Sequence, residues 1–313
     1  APNVGKTALT VQTAIEVLLT EKEACLAYFS LEMSEEQIFR RMLLNLSGLN
    51  FKSFVFGSQK QQIMDNEGNT AFFTLTEIQE IKTAENTLRN LGERLQIIDQ
   101  STCPYIDART VVNYVETLKQ RSKCSRAIVI IDYLQVWPVN INARLLENEA
   151  DKWRIGEMKK IRDALNDDPV IVISEARKPS GKDETWGGDL SDVMGSARGT
   201  YTPDVVMLLS QIKPKPLSLL WKKNNLPAVK TEEDNECIES NNEEKDGLNI
   251  KNFLAKHGIA ICKIEVPKAR DGMQKFSTLL EFHFNRNTFN KVDWQKLGEL
   301  IKTPNKQKNL FGK

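Results

Sequence analysis

Close to its start the chain reads Ala1-Pro2-Asn3-Val4-Gly5-Lys6-Thr7 and runs directly into an amphipathic stretch. These residue types in this order suit the binding of a phosphate chain, which needs converging backbone N–H groups and the positive end of a helix. Gly5 lets the backbone come close, Lys6 offers a point charge to the terminal phosphates, and Thr7 offers a hydroxyl to magnesium. Pro2, Asn3, Val4 and Ala8 would complete the loop around them. The pattern is G-x-x-x-x-G-K-[ST], whose leading glycine falls one residue before Ala1, so that glycine and the strand that feeds the loop are expected to precede the chain. A Gly-Lys-Thr tripeptide alone opens many helices that bind nothing, so the weight falls on what lies downstream.

Two carboxylates are placed to work with such a loop. Asp132 ends the aliphatic run Ala127-Ile128-Val129-Ile130-Ile131, which puts it at the carboxyl edge of a sheet, where ligands of open α/β folds bind. Glu32 follows another short apolar run, in Phe29-Ser30-Leu31-Glu32-Met33-Ser34, and could polarise an attacking water at the same edge. Taken singly, each has an ordinary structural explanation, as a strand-end acid or as a solvated acid favoured by a helix dipole. Downstream, Lys268 and Arg270 flank a turn, where basic residues also commonly protect a strand edge.

The elements that must position these groups alternate. Helical periodicity covers about 6–19, strand character 24–30, and a helix opens at Ser34, where Gln37 three residues on makes a capping box. Residues 51–69 are irregular, 75–91 and 106–120 are helical around a strand at 95–99, and a long helix at about 146–165 separates the strands 127–132 and 170–174. Purely aliphatic strands between helices indicate a mostly parallel central sheet wrapped by helices. A further strand is expected at 205–210, an aperiodic insertion at 213–257, and two strands at 259–266 and 276–284 joined around Arg270-Asp271-Gly272. The organisation expected is therefore a core over 1–212, the insertion, C-terminal core strands over 258–295, and a basic tail over 296–313.

Composition narrows the class. Of 313 residues, 40% are hydrophobic and 27% charged, which suits a soluble globular protein, and neither an apolar run of membrane-spanning length nor a cleavable leader is visible. The five cysteines (Cys25, Cys103, Cys124, Cys237, Cys262) form no CxxC pair and only His257 and His283 could join them, so a zinc site or disulfide scaffold is disfavoured and a reducing cytoplasm expected. A net charge of +1 conceals an acidic stretch at 231–246, whose eight acids against Lys245 leave about +8 on the rest. Polyanionic partners are compatible with that balance without being established by it.

Taken together, A-P-N-V-G-K-T, F-S-L-E-M-S, I-V-I-I-D-Y-L-Q-V over 128–136, and the later K-A-R over 268–270 resemble the DnaB-type replicative DNA helicases, specifically their C-terminal RecA-like ATPase domain. The resemblance spans nearly the whole chain apart from the acidic insertion and the tail. It implies a RecA-like α/β fold and a prokaryotic, viral or plasmid-encoded motor, hexameric, that couples Mg-ATP hydrolysis to 5′ to 3′ movement on single-stranded DNA. Primase or a helicase loader is a further implied partner. By the same resemblance Lys6 and Thr7 are phosphate and magnesium ligands, Asp132 a second group on the metal side, Glu32 the catalytic base, and Lys268 and Arg270 a pair reaching into a neighbouring subunit's site.

Two positions depart from the family pattern. Glu175 stands in Ser174-Glu175-Ala176-Arg177-Lys178 where the family carries a glutamine that senses the terminal phosphate, and a carboxylate there needs protonation, pairing with Arg177 or a turn away. The segment Asp192-Val193-Met194-Gly195-Ser196-Ala197-Arg198 resembles the family's DNA-facing loop, with Met194 in place of an arginine. Arg177, Lys178, Gly195, Ser196 and Arg198 are its DNA-contact candidates, and the preceding loop with Trp186 suits either base stacking or docking on the body. Two rival readings share parts of this pattern: another RecA-like ATPase of recombinase or clock type, and a nucleotide-binding scaffold that does not hydrolyse.

Overall fold

A computed structural model describes residues 4–50, 63–64, 70–71, 74–139, 147–166, 168–175, 202–229, 243–270 and 274–302. In chain order its elements are α1 (Lys6–Thr20), β1 (Ala24–Ser30), α2 (Glu35–Ser47), β2 (Ile63–Met64), β3 (Thr70–Ala71), α3 (Leu75–Leu91), β4 (Leu95–Asp99), α4 (Ala108–Ser122) and β5 (Arg126–Asp132). They are followed by α5 (Glu147–Ala164), β6 (Val170–Val172), β7 (Val205–Gln211), α6 (Pro214–Lys223), α7 (Glu243–Lys256), β8 (Ile259–Ala269), β9 (Ser277–His283), β10 (Thr288–Lys291) and α8 (Trp294–Lys302).

Parallel pairing in the order β4-β1-β5-β6 makes the first sheet. Its strands alternate residue by residue between two cores, as a period of two requires. Cys25, Ala27 and Phe29 of β1 with Ala127, Val129 and Ile131 of β5 face α4 and α5. Leu26 and Tyr28 with Ile128 and Ile130 face α1, α2 and α3. In this register Ser30 lies beside both Asp99 and Asp132, so three strands deliver polar side chains to one carboxyl edge. The second sheet is antiparallel in the order β10-β9-β8-β7.

Local sequence explains where the helices begin and end. Ser34 and Gln37 form the expected capping box, Thr74 and Glu77 form another, and Gly48 closes α2 at φ 66°. The Asp99 carboxylate accepts from Glu35 N–H at 2.9 Å and from the N–H and hydroxyl groups of Ser101 and Thr102, which hold it far below the usual carboxylate range. At the C-terminal end of α1 the Arg94 guanidinium donates to the carbonyls of Leu18 and Glu21 at 2.7 and 2.8 Å, which the helix leaves open, and to Ala24 O of β1 at 3.0 Å.

Residues 213–257 depart from the expected aperiodic insertion. Helices α6 and α7 occupy most of the described part, and Leu217, Trp221, Ile250 and Leu254 share a core with Ile259, Ile261 and Leu297. Composition hid both helices for identifiable reasons. Pro214 sits in the first turn of α6, where its missing N–H costs nothing, and Glu243, Glu244 and Asp246 sit in the first turn of α7, where the dipole favours them. Most of the acidic stretch, 230–242, lies outside the described residues. The expected tail likewise begins as α8, which buries Leu297, and only 303–313 lie outside the description.

Gly247 is where α7 meets α6. A Cβ there would stand 1.8 Å from the Pro214 carbonyl oxygen. Glycine to alanine inside a helix ordinarily stabilises by about 1 kcal/mol. Here the sign reverses, and Gly247→Ala is expected to cost roughly 1–3 kcal/mol by overpacking, read as a lowered Tm in thermal melts.

Candidate nucleotide site

The start of α1 is built for close approach. Gly5 caps the helix in the left-handed region at φ 90°, and a Cβ on it would meet Phe289 Cζ at 2.8 Å and Phe282 Cε1 at 2.9 Å. Those two rings stack with centroids 4.4 Å apart, so the loop rests on an aromatic floor supplied by β9 and β10. Val4 and Ala8 are buried beside it, while Pro2 and Asn3 lie outside the described residues. The Gln12 side chain ties the same helix down, donating to Phe289 O at 2.9 Å and accepting from Phe289 N–H at 2.7 Å.

Lys6 follows, its ammonium nitrogen buried and, among the described residues, without a hydrogen-bond partner. The Glu175 carboxylate approaches it to 3.6 Å, near enough to offset the charge and too far for a hydrogen bond. A buried, unsatisfied ammonium beside a helix N-terminus is costly unless an anion completes it.

Behind Lys6 a chain of hydroxyl groups leads to Asp132. Thr10 Oγ1 bonds the Thr7 carbonyl at 3.1 Å and the Tyr28 hydroxyl at 3.0 Å, and Tyr28 donates to Asp132 Oδ2 at 2.9 Å. Burial raises the Asp132 carboxyl above its ordinary value, against the opposing pull of hydrogen bonds from Thr7 and Tyr28 and the charges of Lys6 and Arg41. Burial likewise lowers the Arg41 guanidinium, with Tyr28 and Asp132 pulling the other way. Arg41 donates to Asn287 Oδ1 at 3.0 Å, so α2 links this aspartate to the β9–β10 turn.

Glu32 is exposed in the loop after β1, a loop held by Leu31 N–H on Asp132 O at 2.7 Å and by Ser30 Oγ on Met33 O at 2.7 Å. Tyr133 stands among three acids. Burial raises its phenol first, and the charges of Glu32, Glu175 and Asp132 raise it further. Gln135 fixes the other flank, donating to Ser174 Oγ at 2.9 Å and accepting from Glu175 N–H at 3.2 Å. Among the described residues no group of three or more His, Cys, Asp or Glu forms a metal cage by itself. Magnesium is ordinarily held by one or two protein oxygens with phosphates and waters, and Thr7 beside Asp132 fits that donor set.

Several expected residues thus converge: Gly5, Lys6, Thr7, Asp132 and Glu175, with Glu32 flanking them. Glu175 has a partner the sequence did not suggest, Lys6; Arg177, the partner suggested, lies outside the described residues with Lys178, Gly195, Ser196 and Arg198. Lys268 and Arg270 stand elsewhere. Phe282, under Gly5, pairs with Ala260 at the start of β8, and Lys268 lies eight residues further along that strand, roughly 25 Å away. Arg270 is half-exposed and donates to Asp204 Oδ1 at 3.0 Å, and burial together with Arg270 lowers the Lys268 ammonium. Sequence reasoning missed Thr10, Tyr28, Arg41 and Gln135. The tyrosine carried a usable signal, since a phenol in a wholly buried strand needs a partner for its hydroxyl.

The carboxyl edge of the parallel sheet thus gathers a glycine-led helix start, a lysine, a hydroxyl and a buried aspartate, an arrangement suited to a phosphate chain and a divalent cation. The chain belongs to the DnaB-like helicase C-terminal domain family, whose model matches residues 1–291. A solved ATPase domain superposes with a TM-score of 0.64 at 18% identity, covering 94% of this chain and 82% of its own. A DnaB-like replicative helicase solved for its interactions with primase gives the same score and identity over 94% of this chain and 57% of that one. A probable plasmid replicative DNA helicase of Chlamydia muridarum is 24% identical over 218 residues, and one of Chlamydia trachomatis 22% over 213. The chain matches 42% and 41% of their respective lengths. No helix among the described residues is long and apolar enough to cross a membrane.

Proposed function

We propose that this domain is the ATP-hydrolysing motor of a plasmid- or virus-type replicative DNA helicase, driving movement on single-stranded DNA as a homo-hexamer. The buried Lys6 ammonium, without a hydrogen-bond partner among the described residues, carries the reading, because at the start of α1 it supplies a fixed positive charge where a phosphate completes the site. Lys6 and the first N–H groups of α1 bind the phosphates, with Gly5 keeping the approach open. Thr7 and Asp132 would hold the magnesium ion, whose chemistry when bound is to neutralise charge on the phosphate oxygens. Glu32, exposed at the same edge, orients the attacking water.

Arg270 acts in trans on this reading. Its separation from Lys6 along β8 argues against service to its own site, and its half-exposed guanidinium, bonded to a half-exposed aspartate, lies where a neighbouring subunit could reach it. Lys268 accompanies it. The DNA path assigned to Arg177, Lys178, Gly195, Ser196 and Arg198 rests on the sequence pattern, and the assignment of primase or a loader as partner rests on the family and on its solved member.

Phosphate release by the full-length protein, with and without single-stranded DNA, tests this. DNA should stimulate turnover, Glu32→Gln and Arg270→Ala should each lower it by about a hundredfold or more, and mixing the two inactive variants should restore part of it. Nucleotide binding without turnover in the parent protein would point to the scaffold reading, and mixed subunits with no recovery would sink the shared site.

A further inference from the structure

Among the described residues Glu175 forms an ion pair with Lys6. It follows β6 at the carboxyl edge, and its backbone is held by Gln135, which also bonds Ser174 and itself follows Asp132 closely in sequence. The backbone is anchored while the side chain is about half exposed, so the carboxylate can rotate away without disturbing the strand. Its approach to Lys6 is that of an ion pair without a hydrogen bond. Such a contact offsets the ammonium charge and leaves its donors unsatisfied, which a phosphate oxygen at hydrogen-bond distance would correct.

We infer that Glu175 is the resident counter-ion of the phosphate-binding lysine, a side chain that a nucleotide must displace and that thereby sets nucleotide affinity. The inference rests on Lys6 binding nucleotide phosphates, as proposed above. Two effects of the carboxylate act in the same direction: it competes for Lys6 in the empty site, and it repels the phosphates that replace it. A neutral amide of the same shape does neither. Glu175 is therefore a specificity-determining position that weakens binding and speeds release.

The test is equilibrium binding of a fluorescent ATP analogue with Mg²⁺ to the full-length protein, its E175Q and K6M variants and the double variant, with thermal melts to confirm folding. E175Q should bind about tenfold more tightly than the parent, since one competing ion pair and one like-charge repulsion are removed together. That gain should vanish in the K6M background. The parent's affinity should fall on K6M alone, which tests the phosphate site independently. If K6M weakens the parent and E175Q still binds no more tightly, or its gain survives without Lys6, the counter-ion role is wrong while the nucleotide site stands. If K6M leaves the parent unchanged, both readings are overturned. A merely structural Glu175 would instead show as a lower melting temperature with unchanged affinity, and that too would overturn the inference.

Discussion

Lys6→Ala is expected to reduce ATP turnover by about 10²–10³-fold, the scale on which removing one preorganised charge-stabilising donor acts. Its ammonium is buried, lacks a hydrogen-bond partner among the described residues and sits at the start of α1. Arginine should not rescue it, because a planar, bulkier guanidinium needs space that a buried ammonium does not. Stability should move the other way or not at all. An unsatisfied buried donor is a liability to the folded state, so Lys6→Met should melt no lower than the parent. Steady-state phosphate release and a thermal melt on the same samples decide the matter. Turnover within tenfold of the parent would remove Lys6 from the chemistry, and a large drop in Tm would make its role structural.

Asp132→Asn is expected to separate activity from stability more sharply. Loss of the carboxylate should lower magnesium-dependent turnover by about a hundredfold or more. The fold should gain, because burial holds the native Asp132 carboxyl above its ordinary value. The folded state thus binds this proton more tightly than the unfolded chain. Between the ordinary carboxylate range and the raised native value the native protein carries the extra proton, so stability falls as pH rises through that window. Above it the cost of a buried charge is fully present. Asparagine removes that cost, so its advantage, roughly 1 kcal/mol or about 2–4 °C in Tm, should be complete at neutral pH and shrink on acidification. Melts at several pH values check the sign, and an advantage that grew toward acid would refute the account.

Which parts of this molecule could be read from its sequence follows from how local each signal is. The aliphatic runs at 127–131 and 170–173 announced a parallel sheet because both faces of each strand are covered, and the capping box at Ser34 and Gln37 needed only four residues to be visible. Asp132 could be placed at the carboxyl edge by the same reasoning. The link from Thr10 through Tyr28 to Asp132 could not, because its members lie far apart in the chain and meet only through strand pairing. Arg41 and Asn287 are separated further still. The two helices within 213–257 were obscured for a different reason: their prolines and acids are turn-like in composition but occupy first helical turns, where position reverses their meaning. Glu175 was recognised as out of place, and its contact with Lys6 could not be read, because the two lie far apart in the chain and meet only at the sheet edge.

The Gln12 amide bears on how the domain can move. By engaging both the carbonyl and the N–H of Phe289 it behaves as one more rung of β10, riveting a helix to a sheet edge. Sliding α1 along its axis relative to the second sheet would break two hydrogen bonds, at about 0.5–1.5 kcal/mol each, and drag Gly5 across the stacked rings of Phe282 and Phe289. The helix that carries Lys6 and the antiparallel sheet that carries Arg270 therefore travel as one lever.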